Sequence, residues 1–316
     1  ICLQYDDSDK VTDSRCLDQY SQDKRFRYLK YPFTESQGGC WARNLTQQLY
    51  EGERYTLQID AHSQLRESWD TILIKMLSEL PSDKPLITAF PPLYHFEDGK
   101  AVYKHIDHLG QVNTAVATVW NEDGSLQHTH QINSATYPTP TRTRLVSGAF
   151  VFTLGRWNKE VTQDPEHFYT GEEFALTIRS FTWGYDMFSP SDITIWHRHH
   201  PAPSRKFWND NSPEKVQLFH DTALQRLRWL YKGDTGEKLG DYGLGTQRTL
   251  AEFYIYSGLD CESYFIHPDA VAGIPPNPIT IKDHKNGPNT PEGMDTATVD
   301  IRIFIRGMTP LEFVCT

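Results

Sequence analysis

Asp60-Ala61-His62 sets a carboxylate and an imidazole two residues apart, at the end of the alternating run Tyr55 to Asp60. In an extended chain, residues i and i+2 share a face, so both side chains can converge on one cation. A carboxylate with one imidazole suits manganese or another borderline divalent ion bridging two phosphates. The competing reading is an aspartate that caps the next helix beside a surface histidine. Glu172 and Glu173 follow Gly171 at the start of a helical run, where acidic side chains also favour a helix N-terminus. Trp196-His197-Arg198-His199-His200 closes a short strand, and its histidines could instead form an adventitious zinc or nickel site. Arg43 and Arg198 are side chains able to meet a diphosphate, with plain solvation as the alternative for each. Arg43 lies just beyond Gly38-Gly39, where a helix N-terminus would offer free amides.

The elements that must position these residues alternate between strand-like and helix-like stretches, the pattern of an α/β sheet protein. The first strand is expected at Ile1 to Tyr5, running into an acidic loop, and a helix at Trp41 to Tyr50. Tyr55, Leu57 and Ile59 occupy one face of the next strand. Trp69, Ile72, Leu73, Met76 and Leu77 then follow at helical spacing. Further strands are expected at Lys84 to Phe90, Asn113 to Trp120, Leu145 to Leu154 and Ile193 to His197. The polar, proline-dotted stretch from His128 to Arg144 reads as a long loop. Helices are expected at Glu172 to Trp183, Glu214 to Tyr231 and Thr246 to Ser257, and a last strand at Ala297 to Arg306. Ligand sites of open α/β sheets lie beyond the carboxyl ends of the strands, which is where Asp60 falls.

The chain has 316 residues, 38% of them hydrophobic, enough for one large domain or a catalytic domain with an appendage. A net charge of -10 argues against nucleic acid or an anionic membrane as the main partner. A phosphate-bearing ligand therefore needs a local metal or a few placed basic residues. Eight Trp, 16 Tyr and 16 Phe suit sugar stacking and core packing equally. The five cysteines are scattered, without a C-x-x-C pair, and read as reduced thiols of a cytoplasmic protein. No apolar run is long enough to span a membrane, and no signal peptide opens the chain.

Asp-x-His, then Gly-Glu at a helix start, then a distal His, resembles the retaining glycosyltransferases of the GT-A fold, including the polypeptide N-acetylgalactosaminyltransferases. It is closer still to the cytoplasmic N-acetylglucosaminyltransferases that modify a hydroxyproline on a ubiquitin-ligase subunit, and to their bacterial relatives. The likeness rests on Tyr31-Pro32-Phe33-Thr34-Glu35-Ser36, Gly39-Cys40-Trp41-Ala42-Arg43-Asn44, Gln58-Ile59-Asp60-Ala61-His62, Gly171-Glu172-Glu173 and Thr182-Trp183-Gly184-Tyr185-Asp186. It covers residues 1–197, and more loosely continues to about Gly258.

The resemblance implies a Rossmann-like, mostly parallel sheet flanked by helices, with a C-terminal helical and strand extension. Its expected division is a GT-A catalytic domain at 1–210, a helical subregion at 211–268 and an extension at 269–316. The family's first nucleotide-binding strand, with its uracil contacts, has no counterpart ahead of Ile1. Asp60, His62 and His197 are implied as manganese ligands; the expected contacts to a UDP-sugar are Arg43 and Arg198 as basic side chains, Tyr169 by its position, Asp60 and Gly171. Glu172 would attend the sugar, and Asp186, by its position after the helix, the acceptor. The expected reaction is retaining transfer of N-acetylglucosamine from UDP-GlcNAc to a protein or glycan hydroxyl. UDP-GalNAc or UDP-glucose as donor, a non-catalytic sugar-binding homologue and a metal-dependent hydrolase using His197, His199 and His200 are the alternatives.

Overall fold

The computed structural model describes residues 4–5, 22–27, 29–104, 113–132, 139–198, 207–276 and 299–304. Two short parallel strands, β1 (Gln4–Tyr5) and β2 (Leu29–Lys30), precede helix α1 (Gly39–Gln47), which starts after Gly38 at φ 104°. Strand β3 (Tyr55–Asp60) turns through Ala61 and His62 into β4 (Ser63–Leu65), followed by α2 (Trp69–Ser78) and β5 (Pro85–Thr88). Two antiparallel hairpins come next, β6 (Tyr94–Glu97) with β7 (Lys100–Tyr103), and β8 (Asn113–Trp120) with β9 (Leu126–Ile132). Then follow β10 (Thr141–Arg142), β11 (Phe150–Leu154), the one-turn α3 (Trp157–Glu160), α4 (Glu172–Thr182), β12 (Asp186–Ser189) and β13 (Ile195–His197). The remaining elements are α5 (Phe207–Asp210), α6 (Pro213–Tyr231), α7 (Leu250–Ser257), β14 (Leu259–Asp260), β15 (Phe265–Ile266), α8 (Pro268–Val271) and β16 (Val299–Phe304).

The central sheet runs β10-β12-β5-β11-β3-β16. It is mixed, which corrects the expectation of a mostly parallel sheet. Only β12–β5 and β16–β3 pair in parallel, while β11 is antiparallel to both β3 and β5. The cause is the connection from β5 to β11. Parallel neighbours need a crossover, commonly a helix, but here the chain passes through two hairpins and re-enters the sheet in the opposite direction. The outer edge beyond β3 is taken by β16, from the far end of the sequence, with Phe304 opposite Asp60.

One face of β3 buries Tyr55, Leu57 and Ile59 against Leu73, Met76 and Leu77 of α2, the helical spacing meeting the strand spacing. Its other face is also buried, with polar side chains tied to protein groups, as in the Gln58 Nε2 bond to the Gly148 carbonyl at 3.0 Å. A second core joins Val151 of the sheet to Phe174 and Phe181 of α4, Leu227 and Leu230 of α6, and Phe253 of α7. The helices after residue 210 thus share one core with α4. Ser212 caps α6, and a reciprocal Thr249–Glu252 capping box starts α7.

The expected loop from His128 to Arg144 is corrected in part: residues up to Ile132 pair with β8 as a strand. Its sequence, Leu126-Gln-His-Thr-His-Gln-Ile132, carries few apolar residues, so it lacked a strand signal. The stretch expected as a strand from Leu145 becomes regular only at Phe150. The acidic loop at 6–9, His199 and His200, and most of the proline-rich segment after Asp269 lie outside the described residues.

Candidate active site

The site forms where β3 ends. Asp60 closes β3, His62 lies in the turn to β4, and β4 pairs antiparallel with β13, so His197 stands opposite Ser63. The Arg198 amide donates to the His62 carbonyl at 2.8 Å, and the His197 amide to the Pro92 carbonyl at 2.9 Å. This pairing brings His197 Nε2 to 3.6 Å from Asp60 Oδ2 and the His62 and His197 rings to 6.0 Å between centroids.

From the other side, α1 presents Arg43. Its Nη2 donates to Asp60 Oδ1 at 2.8 Å and its Nη1 to Glu172 Oε1 at 2.8 Å. The Arg43 side chain is only 10% exposed, so this guanidinium is buried between two carboxylates. Burial alone would lower its pKa; Glu172 and Asp60 outweigh that and hold it firmly ionised. Cys40, one turn earlier on α1, donates its thiol to Glu172 Oε2 at 2.9 Å. Complete burial, reinforced by the Glu172 charge, pushes that thiol well above its ordinary range, so it remains a protonated donor.

Glu172 is the first residue of α4, after Gly171 at φ 71°. Glycine is required there twice over: the backbone is left-handed, and a Cβ would come within 2.4 Å of Leu227 on α6. Tyr169, also left-handed at φ 49°, is 47% exposed, and its ring packs on Phe168 and Trp208. Beside these residues lies a cavity of about 230 Å³. Asn121, Ser125, Leu126 and His128 of the β8–β9 hairpin form one wall, and residues 169–174 the other.

The structure therefore unites Arg43, Asp60, His62, Glu172 and His197, with Tyr169 and Gly171 at the adjoining cavity. Arg198 stands next to His197, but its guanidinium lies over the Phe96 ring at 5.0 Å. Asp186 is not brought to this group. It pairs in register with Pro85 at the start of β5, whereas Asp60 lies level with the far end of that strand. There Asp186 accepts hydrogen bonds from Arg142, Arg248 and Ser82, an arrangement that knits elements together. The order helix-then-aspartate reads the same in sequence at either end of a sheet; strand direction separates the two.

Three neighbours were missed from sequence. Cys40 lies inside the motif Gly39-Cys40-Trp41-Ala42-Arg43-Asn44, but no role attached to it there. Gly148 lies against the bridge itself, where a Cβ would stand 3.0 Å from Arg43 Nη1 and 3.1 Å from Glu172 Oε1. Glu173, read as a helix-start carboxylate alone, accepts the Gly148 amide at 2.6 Å and is bonded by His128.

The donors suit a divalent ion in kind, one carboxylate oxygen and two imidazoles. Asp60 Oδ2 and His197 Nε2, 3.6 Å apart, could share an ion at about 2.1 Å from each. No group of three or more His, Cys, Asp or Glu side chains among the described residues is already gathered to hold one. His62, its Nε2 buried, is the third donor beside them, its ring centroid 6.0 Å from that of His197.

The sequence matches the glycosyltransferase (GlcNAc) family over residues 2–263. The chain belongs to that family. Among solved structures it is similar to GalNAc-T7 with UDP, GalNAc and Mn2+, with a TM-score of 0.53 and 14% identity. The match covers 84% of this chain and 51% of the other, so this chain spans about half the length of that protein. At that identity the likeness is one of fold, and it agrees with the GT-A-type architecture. No curated protein matches the sequence. Among the described residues, no helix of this glycosyltransferase is long and apolar enough to cross a membrane.

Proposed function

We propose that this chain is a manganese-dependent, retaining transferase that moves N-acetylglucosamine from UDP-GlcNAc to a hydroxyl of a protein or glycan. The observation that carries this reading is the Arg43 bridge, which ties Asp60 to Glu172, a residue that lines the cavity. Asp60, His62 and His197 would hold the ion, which when bound supplies Lewis-acid stabilisation for the departing diphosphate. Asp60 keeps Oδ1 on Arg43 and presents Oδ2 on the His197 side.

Glu172, with Arg43 and Cys40 pinning both oxygens, is oriented to accept sugar hydroxyls. It would also face the positive charge that develops at the anomeric carbon. It acts without forming a covalent bond, unlike the nucleophile of a two-carboxylate glycosidase. The acceptor oxygen bonds to the anomeric carbon on the face from which the diphosphate leaves, and the leaving phosphate takes the acceptor's proton. Tyr169 would pack over the donor, Gly171 gives its loop the left-handed turn, and Arg198 would add a diphosphate contact by leaving Phe96. Asp186 has no part in the reaction. The buried free thiols Cys40 and Cys261 fit a reducing, cytoplasmic setting.

The test is UDP release by the purified chain with manganese and a panel of UDP-GlcNAc, UDP-GalNAc and UDP-glucose. UDP-GlcNAc should be used best and Asp60→Ala should abolish release; undiminished release by that variant would sink the mechanism. Preference for UDP-GalNAc would shift the donor toward the sugar bound in the similar structure.

A further inference from the structure

Glu172 and Glu173 are adjacent on α4, and successive helical residues point about 100° apart. Glu172 faces Arg43, while Glu173 faces the β8–β9 hairpin. Both side chains are largely buried, at 17% and 19% exposure. Neighbouring carboxylates in such a setting repel strongly, and each needs a cation close by. Arg43 is already divided between Asp60 and Glu172. The cation in contact with Glu173 is His128, whose Nε2 bonds Oε2, while Oε1 accepts the Gly148 amide.

We propose that His128 is a positioning residue: its imidazolium neutralises Glu173 and thereby keeps that carboxylate from competing with Glu172 for Arg43. This rests on the transferase reading of the site. The path is short, because the Gly148 held by Glu173 lies directly against Arg43 and Glu172. The same ring lines the cavity, so one residue joins the hairpin wall to the carboxylates opposite.

The charged groups facing His128 are Glu173 and Glu172 of α4, with Arg43 of α1 behind them. The Phe90 ring packs on it at 5.6 Å. Burial by itself would lower the His128 pKa. The hydrogen bond and charge of Glu173, the Leu126 backbone and the charge of Glu172 outweigh it and leave the pKa above 6.5. Conversely, burial would raise Glu173, but His128, the Gly148 amide and Arg43 leave it below 4.5. The ion pair therefore loses its cation as pH rises through the raised His128 value.

The test compares wild type, His128→Ala and His128→Gln, the glutamine keeping an N–H donor without the charge. In UDP release, His128→Ala should lose about 10-fold to 100-fold in kcat/KM, the scale of a displaced catalytic group. His128→Gln, which lacks the charge, should stay impaired near neutral pH and lack the alkaline decline of the wild type. Equal activity of all three, or an unchanged alkaline limb in His128→Gln, overturns the proposal. Thermal denaturation between pH 6 and pH 9 reads the charge pair without turnover. The wild type's advantage over His128→Gln should shrink as pH rises, and a constant difference refutes the neutralising role. A wild type that releases no UDP but shows the shrinking advantage refutes the transferase reading and leaves the charge pair standing.

Discussion

Arg43 is the side chain whose removal should reveal most about the site. In Arg43→Met the apolar stem is kept and the guanidinium lost, so the effect isolates the two ion pairs. Glu172, at 17% exposure, would be left as a buried unpaired carboxylate, an arrangement that costs about 3 kcal/mol or more. Asp60 is 32% exposed and recovers water, so its arm adds only about 0.5–1 kcal/mol. The total is about 3–4 kcal/mol, which for a chain of this length lowers Tm by about 8 °C. Calorimetry of the wild type, Arg43→Met, Glu172→Gln and the double variant forms a thermodynamic cycle. Glu172→Gln removes the charge that Arg43 answers, so the double variant should fall short of additivity by about 2 kcal/mol. A loss below about 1 kcal/mol in Arg43→Met, or strict additivity, would refute the reasoning. UDP release should disappear in Arg43→Met at temperatures where the variant is still folded.

Two further outcomes follow from the same geometry. Gly148→Ala places a methyl 3.0 Å from Arg43 and 3.1 Å from Glu172, so it should prise the bridge apart. UDP release should fall about tenfold or more while circular dichroism stays native, and full activity would show that the bridge tolerates the displacement. His167 is buried with Asp164 Oδ2 3.9 Å from its Nε2, and burial outweighs that charge and pulls its pKa from 6.5 to about 4. The unfolded chain therefore takes up a proton first as pH falls, and about 3 kcal/mol of stability should drain away between pH 6.5 and pH 4. His167→Met should flatten that slope in denaturant titrations, and an unchanged slope would assign the acid sensitivity elsewhere.

Much of the fold could be read from periodicity. The alternation of Tyr55, Leu57 and Ile59 and the helical spacing from Trp69 to Leu77 each predicted an element and the face it buries. Strand direction could not be read that way, because side-chain period is the same in parallel and antiparallel strands. β11 therefore came as a reversal, imposed by the two hairpins ahead of it. β9 was hidden for a related reason: its side chains, such as His128, meet polar partners on α4, so apolar alternation never developed.

Residue types and their spacing set the chemistry available at the site: Asp60 with His62 at a strand end, Glu172 behind a glycine at a helix start, His197 at the end of a short strand. Tertiary structure decided which of these meet. Asp60 and Glu172 are joined by Arg43, a residue with no marked spacing to either, because α1 packs where β3 ends and α4 begins. It also separated Asp186 from the site and brought in Cys40, Gly148 and His128. Spacing along the chain constrains neighbours on one element. Contacts between elements depend on strand order, strand direction and helix docking, which are set by burying the whole core at once.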